Sequence, residues 1–214
     1  MITLEKLLQE SISHHGRLCP RQVLGIRVGL AGSAALGLDV PRKDKALLVI
    51  VETDGCFVSG VEAATGCAVR HRTLRVEDLG KVAATLVDVG TGRAVRVAPS
   101  LDVRQRAYDY APEEGRRYNA QLQGYQIMPD NELLSIKSVK LSVPVDDLVS
   151  RPGIRVNCDN CGEEIINQRE VNVESKTLCQ ACTGHAYYHP VSSPAPTWLD
   201  VNNIQVDLEP VSAS

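Results

Sequence analysis

Four of the seven cysteines form two pairs near the carboxyl end, Cys158-x-x-Cys161 and Cys179-x-x-Cys182. This spacing within a pair places both sulfur atoms on one edge of a tetrahedral metal site. Four thiolates bind Zn²⁺ at about 2.3 Å per sulfur and leave no coordination position open. The two pairs are therefore predicted to hold a structural zinc ion. An iron–sulfur cluster and redox disulfides are the alternatives.

The other three cysteines lie in the amino-terminal third, each beside a glycine or proline, and a histidine precedes the first of them by four residues. Mixed sulfur and imidazole ligands suit Zn²⁺ or a related ion. A second, core metal site of unspecified metal is therefore predicted from His15, Cys19, Cys56 and Cys67. Cys19 and Cys56 are the first candidates, also as catalytic residues. The alternative is that these cysteines are small buried residues of the core.

Two predicted helices position the two leading candidates. Pro20 suits the first turn of a helix and the pattern continues to Leu36, so Cys19 directly precedes a helix. The apolar run 46–51 predicts a buried strand that leads into Cys56 at the start of another helix. Free N–H groups and the helix dipole at such positions favour a thiolate. This favours an alternative function, a cysteine-dependent enzyme of sulfur or metallocofactor transfer.

Three glycines at helical spacing, Gly25, Gly29 and Gly32, leave one face of the first of these helices almost without side chains. Each glycine inside a helix costs about 1 kcal/mol relative to alanine. Something is therefore expected to pack very close to this face. A sheet or second helix is one candidate, and a ligand that approaches the backbone is the other.

The rest of the chain predicts further elements and a division into domains. A helix over 2–13, a hairpin of strands 81–89 and 93–98 around Gly90-Thr91-Gly92, helices within 102–126 that break near Pro112 and end at Gly124, and β structure over 133–143 are expected. Proline, glycine and aspartate between 145 and 153 predict a boundary. The expected domains are a core of residues 1–150, a four-cysteine zinc finger of 151–190 and an extended tail of 191–214.

Charge and composition limit the possible partners. The chain of 214 residues has 43% hydrophobic and 4% aromatic residues and a net charge of −3. Four basic and eight acidic residues give residues 151–214 a net charge of −4, which leaves +1 for residues 1–150. A nucleic-acid module needs a basic face, so a zinc-finger regulator that binds nucleic acid is the weakest alternative. No segment has the length and apolarity of a signal peptide or membrane span, so a cytoplasmic protein without membrane contact is expected.

The cysteine motifs, in their order along the chain, resemble a known family. The motifs are His15-Gly16-x-Leu18-Cys19-Pro20, Asp54-Gly55-Cys56, Thr65-Gly66-Cys67, Asp78-x-Gly80-Lys81 and the two terminal Cys-x-x-Cys pairs. They are similar to those of the FmdE family, which takes its name from a component of formylmethanofuran dehydrogenase, over about residues 10–185. The resemblance implies an α+β fold, with a mixed sheet packed with helices, a small C-terminal treble-clef zinc finger and a metal-binding Cys/His cluster in the core. It implies a metal-binding accessory or subunit-like protein with a molybdenum or tungsten oxidoreductase as a partner. A homodimer is also expected, since the helix face formed by Gly25, Gly29 and Gly32 is compatible with one.

Six positions depart from the family's pattern, and three of them, Arg70, His71 and Arg72, replace a region that is usually rich in glycine and lysine. Arg17 stands in place of a second histidine, Arg21 in place of a glycine and Ser59 in place of an aspartate. Arginine cannot ligate a metal because its guanidinium stays protonated. These changes either remove metal ligands or adapt the local charge to receive an anion.

Overall fold

The computed structural model describes residues 3–149 and 153–189, without the side chains of residues 13–15. The chain divides into two compact units, Met1–Arg151 and Pro152–Ser214. The predicted tail, residues 191–214, lies outside the described residues. In the part of the chain that is described, no helix has both the length and the apolarity needed to cross a membrane.

The first unit contains helices and strands in mixed order. Its helices are α1 (Leu4–His15), α2 (Pro20–Leu36), α3 (Cys56–Thr65), α4 (Val103–Tyr110), α5 (Arg117–Ile127), α6 (Asp130–Leu133) and α7 (Val145–Leu148), with a short 3-10 helix at Val69–His71. Its strands are β1 (Leu47–Val51), β2 (Leu74–Val76), β3 (Ala84–Asp88), β4 (Ala94–Pro99) and β5 (Leu134–Val139). The predicted helix after Cys19 has the expected bounds, and the predicted hairpin is formed by β3 and β4.

The five strands form one mixed sheet in the order β2-β1-β3-β4-β5. β1 and β2 are parallel, while the other neighbours are antiparallel. β1 is buried along nearly its whole length, as its continuous apolar run predicts. The fold is therefore α+β, as expected.

The glycine face of α2 contacts α3 and the sheet. A Cβ atom on Gly25 would lie 2.2 Å from the backbone oxygen of Phe57, and one on Gly60 would lie 2.2 Å from that of Gln22. A Cβ on Gly32 would lie 2.4 Å from a methyl carbon of Leu86. Protein backbone and side chains thus fill the space that the alternative assigned to a ligand. Because this face is used within the chain, it gives no support to dimerisation.

Gly124 does not end the second of the two predicted helices. α5 continues to Ile127, and the Met128 amide still donates to the carbonyl of Gly124 at 2.8 Å. A Cβ on Gly124 would lie 2.8 Å from the carbonyl oxygen of Ala107 in α4. The expected termination was therefore wrong, because this glycine permits close packing of α4 and α5 inside the helix.

The described part of the second unit is small and contains little hydrophobic core. It consists of two antiparallel hairpins and a short 3-10 helix. The strands are β6 (Arg155–Asn157), β7 (Glu164–Ile166), β8 (Val171–Val173) and β9 (Lys176–Leu178), and the 3-10 helix is Ala181–Thr183. Within residues 153–189, Cys158 and Ile165 are the residues that are buried.

Candidate metal centre

The four C-terminal cysteines converge on one point. The sulfur atoms of Cys158, Cys161, Cys179 and Cys182 all lie within 4.8 Å of one another. The Sγ atoms of Cys161 and Cys179 are 3.9 Å apart. A tetrahedron of sulfurs around Zn²⁺ has edges of about 3.8 Å when each Zn–S bond is about 2.3 Å. The four donors therefore fit a tetrahedral, thiolate-binding ion.

Turns and backbone hydrogen bonds hold the two cysteine pairs together. In the first pair, the Gly162 amide donates to the carbonyl of Cys158 at 2.9 Å, with Gly162 at a φ of 78°. Between the pairs, the Asp159 amide donates to the Thr177 carbonyl at 2.8 Å, and the Thr177 amide donates to Oδ2 of Asp159 at 2.6 Å. The local hydrogen bonding thus brings the two pairs into register across β9.

Several N–H groups donate to the sulfur atoms. The Cys179 amide donates to Sγ of Cys158 at 3.3 Å, and the Cys182 amide donates to Sγ of Cys179 at 3.4 Å. The side-chain amide of Asn160 donates to Sγ of Cys182 at 3.3 Å. Such donors stabilise negative sulfur and are the outer-shell contacts expected around a metal thiolate.

The thiols of this cluster differ strongly in proton affinity. Backbone N–H groups of Cys161 and Cys179 lower the pKa of Cys158 to about 6. A hydrogen bond from the Glu163 backbone acts to lower the pKa of Cys161, but desolvation and the three neighbouring cysteines outweigh it and raise that pKa to about 12. Four thiolates this close repel one another unless a cation lies among them.

Cys19 and Cys56, the leading core candidates, lie side by side at the starts of α2 and α3. The Cys56 side chain is within hydrogen-bonding reach of the Cys19 thiol. The amide of Cys19 donates to Oε1 of Gln22 at 2.8 Å, and Nε2 of the fully buried Gln22 donates to Oγ of Ser11 at 2.9 Å. Gln22 therefore anchors the position of Cys19 to both α1 and α2.

The pKa of the Cys19 thiol is raised, whereas its place before a helix predicted a stabilised thiolate. Burial raises this pKa, and the neighbouring Cys56 raises it further. Amides of Gln22 and Arg21 at the start of α2 act to lower it, as expected at a helix start. Desolvation outweighs them here, so the expectation of a lowered pKa for Cys19 was wrong.

Cys67 does not form a three-cysteine cluster with Cys19 and Cys56. Its side chain is buried, and its Sγ donates to the carbonyl oxygen of Leu47 at 3.4 Å. Among the described side chains, the C-terminal four are the one group of three or more cysteine, histidine or acidic ligands within 4.8 Å of one another. The structure thus brings together Cys19 and Cys56 but does not group Cys67 with them. The side chain of His15 lies outside the described residues.

A cavity near the start of α2 was missed by the sequence analysis. Its volume is about 550 Å³, and its lining includes Arg21, Lys81, Arg104, Arg117 and Tyr125. Of these residues, only Arg21, which stands in place of the family's glycine, was interpreted from the sequence as a possible adaptation to an anion. No local motif connects residues so far apart in the chain, so only the fold reveals that they share a cavity.

The family comparison agrees with the cysteine motifs. The model of the family described as FmdE, molybdenum formylmethanofuran dehydrogenase operon, matches residues 14–135. The chain belongs to the FmdE family. The match ends before the C-terminal four-cysteine unit, which is therefore an addition to the family's core in this FmdE chain.

Two similar proteins add further comparisons. A protein of Archaeoglobus fulgidus named probable S-adenosyl-L-methionine-binding protein is 29% identical over 202 residues, which cover 86% of the FmdE chain and 54% of that relative. The chain thus spans about half the length of this curated relative. The crystal structure of a tungsten formylmethanofuran dehydrogenase FmdE-like protein from Syntrophus aciditrophicus has a TM-score of 0.55 and 22% identity, and the match covers 88% of this chain and 96% of that one. At this identity, the likeness supports the shared fold.

Proposed function

We propose that this FmdE-family protein is a metal-binding accessory protein with a structural zinc finger and a second metal site in the core. The observation that carries the proposal is the convergence of four cysteine sulfurs within 4.8 Å. Sulfur donors in a tetrahedral arrangement favour Zn²⁺, and two paired Cys-x-x-Cys motifs are typical of treble-clef fingers. Cys158, Cys161, Cys179 and Cys182 would hold the ion.

The small core of the second unit supports a structural role for this ion. Only Cys158 and Ile165 are buried among residues 153–189, which is too little apolar burial to stabilise a fold of this size. Metal binding then supplies much of the folding free energy, as in other small metal-dependent domains. Because four thiolates fill the tetrahedron, no position remains for a substrate.

The pair formed by Cys19 and Cys56 supports a different role for the core. Two sulfurs complete only half of a tetrahedron, so an ion held there keeps positions for further ligands. His15, the partner enzyme or a small molecule would supply them. An incompletely enclosed ion suits transfer or cofactor handling, and the family's link to formylmethanofuran dehydrogenase favours a molybdenum or tungsten oxidoreductase as the partner.

The alternative functions have less support. A cysteine nucleophile needs a thiolate, and burial raises the pKa of Cys19. The S-adenosyl-L-methionine binding named for the Archaeoglobus relative is not carried over, because the 550 Å³ cavity near the start of α2 is lined by positive charge and the sulfonium ligand is itself cationic. Nucleic-acid binding is opposed by the net charge of −4 on residues 151–214. Homodimerisation and cytoplasmic localisation stay predictions.

Metal analysis of the purified protein tests the proposal. We expect about one zinc ion per chain at the finger and loss of that ion in the Cys158→Ser/Cys179→Ser variant. Cys19→Ser/Cys56→Ser should retain the zinc and lose the second ion. Cys67→Ser, which removes a thiol outside both groups, is the matched control and should keep both ions. The proposal would be refuted if the wild-type protein contained no zinc. It would also be refuted if both double variants contained as much metal as the wild-type protein.

A further inference from the structure

The 550 Å³ cavity of the first unit is lined by four cationic side chains. Arg21 of α2, Lys81 before β3, Arg104 of α4 and Arg117 of α5 all line it. Aspartate and glutamate are absent from the described residues of the lining. Four separate segments thus bring positive charge to one space without an acidic side chain to neutralise it.

The arginines of this cavity differ from other arginines in the same unit. Arg96 forms a two-point ion pair with Glu52, and Arg27 pairs with Asp130. Arg106 lies on α4 with Arg104 and pairs with Glu132. In contrast, none of the four cationic residues at the cavity forms an ion pair with a described acidic residue. Their charge is available to a ligand.

Tyr125 adds an uncharged hydrogen-bond donor to the four cationic residues at the cavity. Only 1% of this residue is exposed, yet it lines the cavity. Its phenolic hydroxyl can donate a hydrogen bond to an anionic ligand. The charges of Arg104 and Arg117 act on this hydroxyl, so all three groups share one region. An anionic oxygen there would accept from the hydroxyl and from both guanidinium groups.

We propose that this cavity binds a small molecule that carries a diphosphate or two phosphate groups. The volume lies within the range of about 300–1,000 Å³ usual for small-molecule sites. Planar guanidinium groups bind phosphate oxygens through two parallel hydrogen bonds, and four cations match the charge of two phosphates. The cysteine sites contribute no residue to this lining, so the proposal does not depend on the metal-binding function.

Calorimetric titration with pyrophosphate, without divalent cations and at low salt, tests the proposal. We expect wild-type protein to bind pyrophosphate with a Kd below about 1 mM, and inorganic phosphate more weakly. Arg104→Gln and Arg117→Gln should each weaken binding about tenfold, since each removes a charge-assisted contact. Tyr125→Phe should weaken it about threefold, with the ring and its packing retained.

Arg116→Gln is the matched control. Arg116 is exposed and precedes Arg117 in the chain, but it does not line the cavity. This variant should bind pyrophosphate within about twofold of wild type, since it alters net charge equally without removing a contact. Thermal unfolding of each variant verifies folding. The proposal is overturned if folded wild-type protein does not bind pyrophosphate at millimolar concentration, if Arg116→Gln weakens binding as much as Arg117→Gln, or if citrate binds more tightly than pyrophosphate.

Discussion

Gln22 holds Cys19 through a hydrogen bond from the Cys19 backbone amide to its side-chain oxygen, 2.8 Å long. The other end of the same amide group donates to Ser11 in α1. One fully buried side chain thus connects the first two helices at the point where the core cysteine pair begins. The pair is positioned by polar contacts as well as by apolar packing.

Gln22→Leu is expected to lower the free energy of unfolding by about 2–3 kcal/mol. Leucine preserves most of the volume but leaves the Cys19 amide and the Ser11 hydroxyl without this partner. Urea-induced unfolding measures the change. Gln105→Leu, on the exposed side of α4, is the control and should change stability by less than about 0.5 kcal/mol. An equal loss of unfolding free energy in both variants would show that Gln22 has no special role in stability.

Gly25→Ala is expected to cost about 3 kcal/mol or more, or to prevent folding. Its Cβ would lie 2.2 Å from a backbone oxygen of α3, which cannot move aside as a flexible side chain can. Gly115→Ala is the control, because a Cβ there has no neighbour within 4 Å. It should be neutral or stabilise by up to about 1 kcal/mol through a less flexible unfolded chain. Thermal unfolding compares the two, and a tolerated alanine at position 25 would show that α2 and α3 are less closely packed.

The turn between β3 and β4 should make stability depend on pH. The Thr91 hydroxyl donates to Asp88 at 2.6 Å, and this hydrogen bond lowers the pKa of Asp88. A carboxyl whose pKa is lower in the folded state stabilises the fold above its unfolded pKa of about 3.9, and this contribution disappears as pH falls through the folded value.

Thr91→Val should therefore destabilise the protein at pH 6 by a few tenths of a kcal/mol, since the site is exposed and screened. The difference from wild type should shrink as the pH falls from about 4 towards 2. Urea midpoints at several pH values measure it. Asp88→Asn, which cannot titrate, should show the same loss of pH dependence. A difference between wild type and Thr91→Val that stays constant with pH would contradict the assignment.

Removal of the ion proposed for the four C-terminal cysteines should affect the two units differently. A strong chelator is expected to make residues 153–189 sensitive to protease, because their described part has only two buried residues. The first unit has its own large core and should keep its helical circular dichroism. Mass spectrometry of the proteolytic fragments identifies the region that unfolds. Resistance of residues 153–189 after complete metal removal would show that the finger folds without the ion.

Local patterns in the sequence predicted elements whose stability is local. Pro20 fixes the start of α2, and Gly90-Thr91-Gly92 joins two alternating strands, so both features follow from nearby residues. The predicted helix end at Gly124 was wrong for a long-range reason. The absent side chain of Gly124 makes room for Ala107, a contact that the local sequence pattern does not contain. The four terminal cysteines were predicted to meet because their spacing itself encodes the site.

The core site was harder to predict because its geometry depends on packing between distant segments. Cys67 follows a glycine, as Cys56 does, yet its thiol donates to the Leu47 carbonyl. The raised pKa of Cys19 arises from burial, which helix position alone does not determine. Likewise, Arg104 and Arg117 meet Tyr125 only after α4 and α5 have packed together.

The contact of Gly25 with Gly60 has a consequence for engineering. Each glycine lies within two helical turns of a core cysteine, Cys19 on α2 and Cys56 on α3. A methyl group on Gly25 has no space between the two backbones, so a Gly25→Ala chain that still folds would have to move α2 and α3 apart, and with them the two sulfurs. The close packing that makes Gly25→Ala costly thus also sets the distance between the two thiols of the proposed core site.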